Sequence, residues 1–332
     1  MKTTTPWSCW AAAALLSLGA LGVGLVGCAP PPQPPLRIAL NHWIGYDTLW
    51  LADRLGFIAA EGLKIEIVDV PSLGDSLRLF ELGEVDVFGG TMMELLAATE
   101  HRRRPIRAVA VLDISHGLDV ILARPGLEGP TALQGRRVAI DPGTSDVLLL
   151  AAALRVRGLV PGDVELVQVR HPAQAAALRE GRVDAVCTFP PNAESLRSEF
   201  GLQEVFSSAE APNTIIDLLL TDPAVTRTRR AELAALLRAN QRAIERLTTD
   251  PAARDLIAIR QGLPPAAIAE QLRGLVLPDL TSQPTLLAAD GPLHRALTLA
   301  GEILIDFGTL SQRPAVADLL DPSVVQLNSS AK

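Results

Sequence analysis

Cysteine and aromatic side chains are scarce in this chain. Its 332 residues hold three Cys, one Tyr, four Trp and seven Phe. Cys9 lies in an N-terminal apolar run and Cys28 ends it, so Cys187 stands alone. A lone thiol excludes a disulfide framework and a Cys-based metal site. Clustered His ligands and a nucleotide-type glycine loop are also missing, so no catalytic or metal set is expected, and no cofactor. Positive charge is short as well: 30 Lys and Arg face 37 Asp and Glu, a formal net charge of −7. The one basic run is His101-Arg102-Arg103-Arg104. That balance argues against nucleic acid as a partner. Beyond the N-terminal run, no apolar stretch is long enough to span a bilayer.

The N-terminal run is a different matter. Lys2 is followed by the apolar stretch Ala11 to Val26. As a helix it would span about 24 Å, short of the roughly 30 Å hydrocarbon core, so residues 1–27 read as a secretion signal. The signal ends in Leu25-Val26-Gly27-Cys28, which resembles the bacterial lipoprotein cleavage box. The resemblance implies that Cys28 becomes a lipid-modified first residue. One acyl chain anchors only marginally, so more than one is expected. Residues 28–35 include Ala29-Pro30-Pro31-Pro32-Gln33-Pro34-Pro35, whose proline density favours an extended spacer. The expected location is outside the cytoplasm, held to the cell membrane by a lipid anchor.

From Leu36 onward, short apolar strands alternate with helical patterns, which predicts an α/β architecture. Strands are expected at 36–40, 63–70, 85–88 and 106–112. Helices are expected at 47–55, 73–82 and 92–101, with Asp47 as a candidate helix cap and Gly45 as a turn residue. A second cycle runs from Arg137 to Phe206, and from Thr226 the pattern is mostly helical. Residues 77–87 (LRLFELGEVDV) and 176–186 (AALREGRVDAV) echo each other. Both read as a helix, a glycine stop, a charged residue and a buried strand.

Five ordered segments carry a resemblance to a known family. They are NHWIGYDTLWLADRLGFIAAEGLKIEIV, LFELGEVDVFGGTMMELL, LQGRRVAIDPGTSDVLLLAAALRVRGL, ALREGRVDAVCTFPPNAE and APNTIIDLLLTDP. In this order they resemble substrate-binding lipoproteins of bacterial ABC importers, in the nitrate/sulfonate/taurine and thiamine-precursor branch. The resemblance implies a type II periplasmic-binding-protein fold, with two α/β lobes joined by two crossover strands. Residues 36–118 and 219–332 would form lobe 1, and residues 119–218 lobe 2. It implies capture of a small polar solute, a permease with its ATPase as partner, a monomer, and no enzymatic step. Two other roles share the fold: a ligand-sensing lipoprotein for a signalling receptor, and a thiamine-pyrimidine synthase-like enzyme.

Ligands of open α/β sheets sit outside the carboxyl ends of strands, which selects the candidate residues. His42, Trp43 and Tyr46 follow the first strand, and all the aromatic Trp and Tyr beyond the leader fall between Asn41 and Trp50. Trp50 reads as helix packing. Gly90 and Thr91 open the helix after the third strand; Gly143, Thr144 and Ser145 do the same in the second cycle. Helix N-termini of this kind suit a carboxylate, sulfonate or nitrate oxygen. Glu94, one turn in, reads as a helix-dipole partner. Phe189 is placed at the pocket mouth by the resemblance. His116, Asp119 and Asp217 fall where the crossovers are expected. Asp119 and Asp217 are flanked by apolar residues, and a buried carboxylate there must find donors or a cation. These loops hold no Lys or Arg, which favours a zwitterionic, amine-bearing or neutral ligand such as taurine, a pyrimidine or a guanidine-like solute.

Overall fold

Strand alternation resolves into two separate sheets in a computed structural model that describes residues 33–329, apart from 102 and 129. The expected signal, Cys28 and most of the proline spacer lie outside the described residues. A compact body begins at Pro35. Its first elements are β1 (Leu36–Leu40), α1 (Ile44–Arg54), α2 (Phe57–Ala60), β2 (Ile65–Asp69), α3 (Leu73–Glu81), β3 (Val87–Thr91), α4 (Met92–His101) and β4 (Arg107–Ser115). The second cycle holds β5 (Val120–Ala123), β6 (Arg137–Ile140), α5 (Asp146–Val156), β7 (Glu165–Gln168), α6 (Gln174–Arg179), β8 (Ala185–Thr188), α7 (Asn192–Phe200) and β9 (Gln203–Ser207). The chain then forms β10 (Ile216–Thr221), α8 (Pro223–Thr249), α9 (Pro251–Gln261), α10 (Pro265–Arg273), β11 (Leu275–Val276), α11 (Gln283–Leu286), α12 (Pro292–Asp306) and α13 (Ser323–Ser329).

One sheet has the order β11-β4-β10-β3-β1-β2, the other β7-β6-β8-β5-β9. Each has a parallel core, β1 with β2 and β3, or β6 with β7 and β8. Into each is inserted one antiparallel strand that has just arrived from the other sheet, β10 in the first and β5 in the second. The chain therefore crosses twice, through residues 116–119 and 208–215. Helix α12 backs both lobes, packing on α4 of the first and α5 of the second.

Four local expectations need correction. The return to the first sheet is complete by Ile216 rather than residue 219, so Asp217 belongs to the first sheet. Helix α1 starts at Ile44, with Trp43 at its N-cap. Asp47 caps nothing; it is buried and accepts from Arg260 Nε at 2.6 Å and Gln261 Nε2 at 2.9 Å. Gly89, Gly90 and Thr91 are strand rather than helix-opening loop. The two glycines serve close approach: a Cβ on Gly89 would lie 2.9 Å from the Tyr46 ring, and one on Gly90 2.8 Å from the Phe88 ring. Glycine inside a strand commonly marks such a contact.

Candidate functional site

The β1–α1 connection sets one wall of the cleft. Trp43 and Tyr46 are both nearly inaccessible and belong to the core of the first lobe. Each has a polar atom to satisfy, and each finds a carboxylate. Trp43 Nε1 donates to the two carboxylate oxygens of Asp113 at 3.2 and 3.1 Å. The Tyr46 hydroxyl donates to Asp217 Oδ1. Gly45 makes the first contact possible, because a Cβ there would sit 1.7 Å from Asp113 Oδ2. Asp113 on β4 and Asp217 on β10 face each other across the antiparallel ladder. Like charges directly opposite repel, and burial opposes both charges. Burial holds the Asp113 carboxyl up at about 7. Burial, and then the Asp113 charge, push Asp217 well above the usual carboxylate range. The same forces raise the Tyr46 hydroxyl: burial first, then the Asp217 charge. A buried chain of groups, Trp43–Asp113–Asp217–Tyr46, results.

The crossovers supply the third acid. Asp119 is stitched to both of them: its N–H donates to Ser115 Oγ at 3.3 Å and its carbonyl oxygen accepts from the Ser208 N–H at 2.9 Å. Ser115 and Ser208 hydroxyls join at 2.9 Å. Burial raises the Asp119 carboxyl to about 7, against the pull of the Ser115 hydrogen bond.

The second lobe answers with Phe189 and Ser145. Phe189 follows β8 and meets Trp43 edge-on, ring centroids 5.5 Å apart. Its other neighbour is His171, also edge-on at 4.8 Å. His171 lies between two acids, Nε2 3.0 Å from Asp146 Oδ2 and Nδ1 3.3 Å from Asp141 Oδ2. Burial disfavours its charged form, but the Asp146 charge and hydrogen bond outweigh it and leave the imidazole raised above its ordinary value. Next to it, Arg170 reaches the first lobe, donating to Ser72 Oγ at 3.0 Å and Asp75 Oδ2 at 2.8 Å. With Phe189 against Trp43, this contact closes the lobes on each other.

A cavity lies where these elements meet. It is lined by Asn41, Trp43, Tyr46, Leu73, Thr91, Asp119, Ser145, Phe189, Ile215 and Asp217. About 10 Å³ of it is open to the centre of a water-sized sphere, room for about one water. Seven of the expected residues therefore line one space: Trp43, Tyr46, Thr91, Asp119, Ser145, Phe189 and Asp217. Five do not. His42 and His116 are exposed, and His116 borders a separate outer groove with Arg197 and Glu270. Gly143 is exposed at a positive φ of 75°. Gly90 is packed inside the sheet. Thr144 is buried, but its hydroxyl donates to the Asp141 carbonyl at 2.9 Å. Asn41, Leu73 and Ile215 join the lining unanticipated, and Asp113 and His171 stand behind it. Asp113 carries the signal that marks Asp119 and Asp217, an acid between apolar neighbours (Leu112 and Ile114). His171, between Arg170 and Pro172, carries none.

Two α/β lobes, crossed twice by the chain and closed over a cavity lined from both, define the periplasmic-binding-protein class of fold. Within that class, residues 45–254 match the family described as NMT1/THI5 like, and the chain belongs to it. Among curated relatives, the taurine-binding periplasmic protein of Escherichia coli (strain K12) is 24% identical over 143 residues, 43% of this chain and 44% of that protein. The chain spans about half the length of the curated relatives it matches. Among solved structures, the alkanesulfonate-binding protein SsuA from Xanthomonas axonopodis pv. citri bound to MOPS aligns with a TM-score of 0.73 at 19% identity, over 88% of this chain and 99% of that one. The periplasmic nitrate-binding protein NrtA from Synechocystis PCC 6803 aligns at 0.70 and 13%, over 90% and 88%. At these identities the structural likeness is one of fold.

Proposed function

We propose that the protein is the solute-binding component of an ABC importer. It captures a small polar solute between its lobes, outside the cytoplasm, and hands it unchanged to a permease with its ATPase. The observation that carries this reading is a single cavity whose walls come from both sheets and from the crossovers, since hinge closure around a ligand is how such two-lobed proteins bind. The family and the relatives named for taurine, alkanesulfonate and nitrate support the same role. A monomer suffices, because one chain supplies every wall. Among the described residues no helix is long and apolar enough to cross a membrane. In this reading the signal of residues 1–27 directs export, lipidated Cys28 holds the protein to the membrane, and residues 28–35 are the spacer.

A thermal-shift screen of sulfonates, nitrate, amines, guanidines and pyrimidines identifies a solute. Uptake of that solute is then measured in cells with and without the protein. Loss of saturable uptake along with the protein is the expected result; uptake that persists unchanged removes the importer role. Cys28→Ser is expected to move the protein from the membrane to the soluble fraction, and continued membrane association would count against the anchor.

A further inference from the structure

The cleft has more hydrogen-bond acceptors than the protein itself satisfies. Asn41 Oδ1, Asp119 Oδ2 and Asp217 Oδ2 are buried and find no donor, Asp217 having beside it, apart from the Tyr46 hydroxyl on Oδ1, only the Asp113 carboxyl with which it shares a hydrogen bond, and all three residues line the same cavity. Leaving a buried acceptor unpaired forfeits its hydration for nothing. Building on the solute-capture reading above, we infer that the cleft takes a compact organic cation, with an ammonium, amidinium or guanidinium head group that offers at least three N–H donors to Asn41, Asp119 and Asp217.

Four further observations point the same way. First, each helix N-terminus at the cavity carries a carboxylate of the protein in its first turn, Glu94 in α4 and Asp146 in α5. Glu94 Oε2 accepts from the Thr91 N–H at 2.7 Å and the Thr91 hydroxyl at 2.6 Å. In the second lobe Asp146 Oδ2 accepts from the Asp141 N–H at 2.8 Å. A sulfonate or nitrate would approach carboxylates where a free helix terminus would have welcomed it. Second, no Lys, Arg or His lines the cavity, and the nearby His171 is held by Asp141 and Asp146. Third, Trp43 and Tyr46 have already directed their polar hydrogens to Asp113 and Asp217. With Phe189 they leave aromatic surface, which attracts cations. Fourth, among the described residues no three His, Cys, Asp or Glu side chains are placed to hold a metal ion, so the acids facing the cavity are left to a molecular cation that displaces their protons. As closed here the space holds about one water, so the head group enters only as the lobes part around it.

Calorimetry on the purified protein at neutral pH tests this, with guanidinium, acetamidinium and methylammonium as cations. Methanesulfonate, nitrate, taurine, an uncharged pyrimidine and calcium are the counter-probes. At least one organic cation is expected to bind. Asp119→Asn and Asp217→Asn should each weaken it by roughly 10- to 100-fold, while Glu66→Gln, an exposed position of β2 outside the cavity lining, changes it less than about threefold. Thermal unfolding checks that each variant is folded, and either Asp variant alone suffices. Binding of methanesulfonate or nitrate with no binding of any cation overturns the charge assignment but leaves solute capture standing. Calcium binding in place of the organic cations overturns it too. Silence from every probe, with the protein folded, overturns the cation assignment, and solute capture is then decided by the uptake measurement.

Discussion

Arg37 and Arg137 hold equivalent places in the two lobes. Each lies within the first two residues of the first strand of its parallel core and grips the acid that precedes the third strand. Arg37 takes Asp86 through its backbone N–H at 3.0 Å and its guanidinium at 3.0 Å, and also donates to the Gly83 carbonyl. Arg137 takes Asp184 in the same way, at 3.0 and 2.8 Å, and donates to the Gly181 carbonyl. This is the physical content of the echo between residues 77–87 and 176–186. The lobes part company at their buried acids. In the second, Asp141 and Asp146 enclose His171. In the first, Asp113 and Asp217 meet only each other and the neutral donors of Trp43 and Tyr46. One plan thus yields one lobe whose acids are internally compensated and another whose acids, joined by Asp119, hold their protons toward neutrality for want of a cation. A binding protein that must release its ligand benefits from such an asymmetry. The compensated lobe keeps its shape, and the uncompensated one gains most from a visiting cation.

Breaking the compensation in the second lobe is expected to have the largest effect. His171→Leu would leave Asp141 and Asp146 buried beside each other without a cation, a loss of about 3–5 kcal/mol in stability. It should also change the pH profile. A folded-state value above the ordinary one means that His171 stabilises fully below about 6.5 and loses that contribution as pH rises through its folded value. Urea unfolding of the wild type should therefore lose stability more steeply with rising pH above about 6.5 than the variant does. Equal slopes in the two proteins would mean that His171 is not the compensating charge.

The mirror experiment disturbs the first lobe. Gly45→Ala places a methyl 1.7 Å from Asp113 Oδ2 and 2.9 Å from Trp43 Nε1. Overpacking of this kind costs about 1–3 kcal/mol, and the Trp43–Asp113 hydrogen bonds must lengthen or break. Trp43 emission and the unfolding midpoint should shift together. An unchanged midpoint would show that Asp113 has room to move and does not depend on the absent side chain.

Gly45 also shows what sequence can and cannot convey here. A glycine between aromatics reads as a tight turn, yet its role is to admit a carboxylate from β4. Asp47 reads as a helix cap, yet its partners, Arg260 and Gln261, come from α9, far along the chain. Gly89 and Gly90 read as the mouth of a helix, yet they lie in a strand beneath Tyr46. Each misreading exchanges a local meaning for a long-range contact. What was legible rested on chemistry that needs no partner to be noticed. Trp43 and Tyr46 stood out because aromatic side chains are so scarce. Asp119 and Asp217 stood out because acids between apolar neighbours are expensive, and Asp113 offered the same signal. The α/β plan and the two lobes followed from strand–helix alternation and from the order of the family segments. Only the pairing of acids across the β4–β10 ladder, and the turning back of Glu94 and Asp146 onto the Thr91 and Asp141 N–H groups, required the folded chain.

The smallest of the expected effects would sharpen the comparison most. Asp119 sits among Ser115 of β4, Asp113 of β4, Asp217 of β10, Asp146 of α5 and His171. Burial, and after it the Asp146 charge, raise its carboxyl to about 7, against the pull of Ser115 and the His171 charge. A raised carboxyl in the folded state binds its proton more tightly than the unfolded chain does. Without ligand, then, the contribution of Asp119 to stability is fully present below the ordinary carboxylate value of about 4 and is lost as pH rises through 7. That is the reverse of a salt-bridged aspartate. A cationic ligand must displace this proton, so its affinity should rise with pH and level off above 7. Between about pH 6 and pH 7.5 the gain should approach tenfold for each proton released. The binding enthalpy near neutrality should change with the ionisation enthalpy of the buffer, reporting the released proton directly. An anionic ligand reverses the sign, because it gains from the protonated acids and weakens as pH rises. The slope of affinity against pH, measured on the wild type and on Asp119→Asn, therefore distinguishes a lobe whose surplus charge awaits a cation from one whose acids are neutral in use.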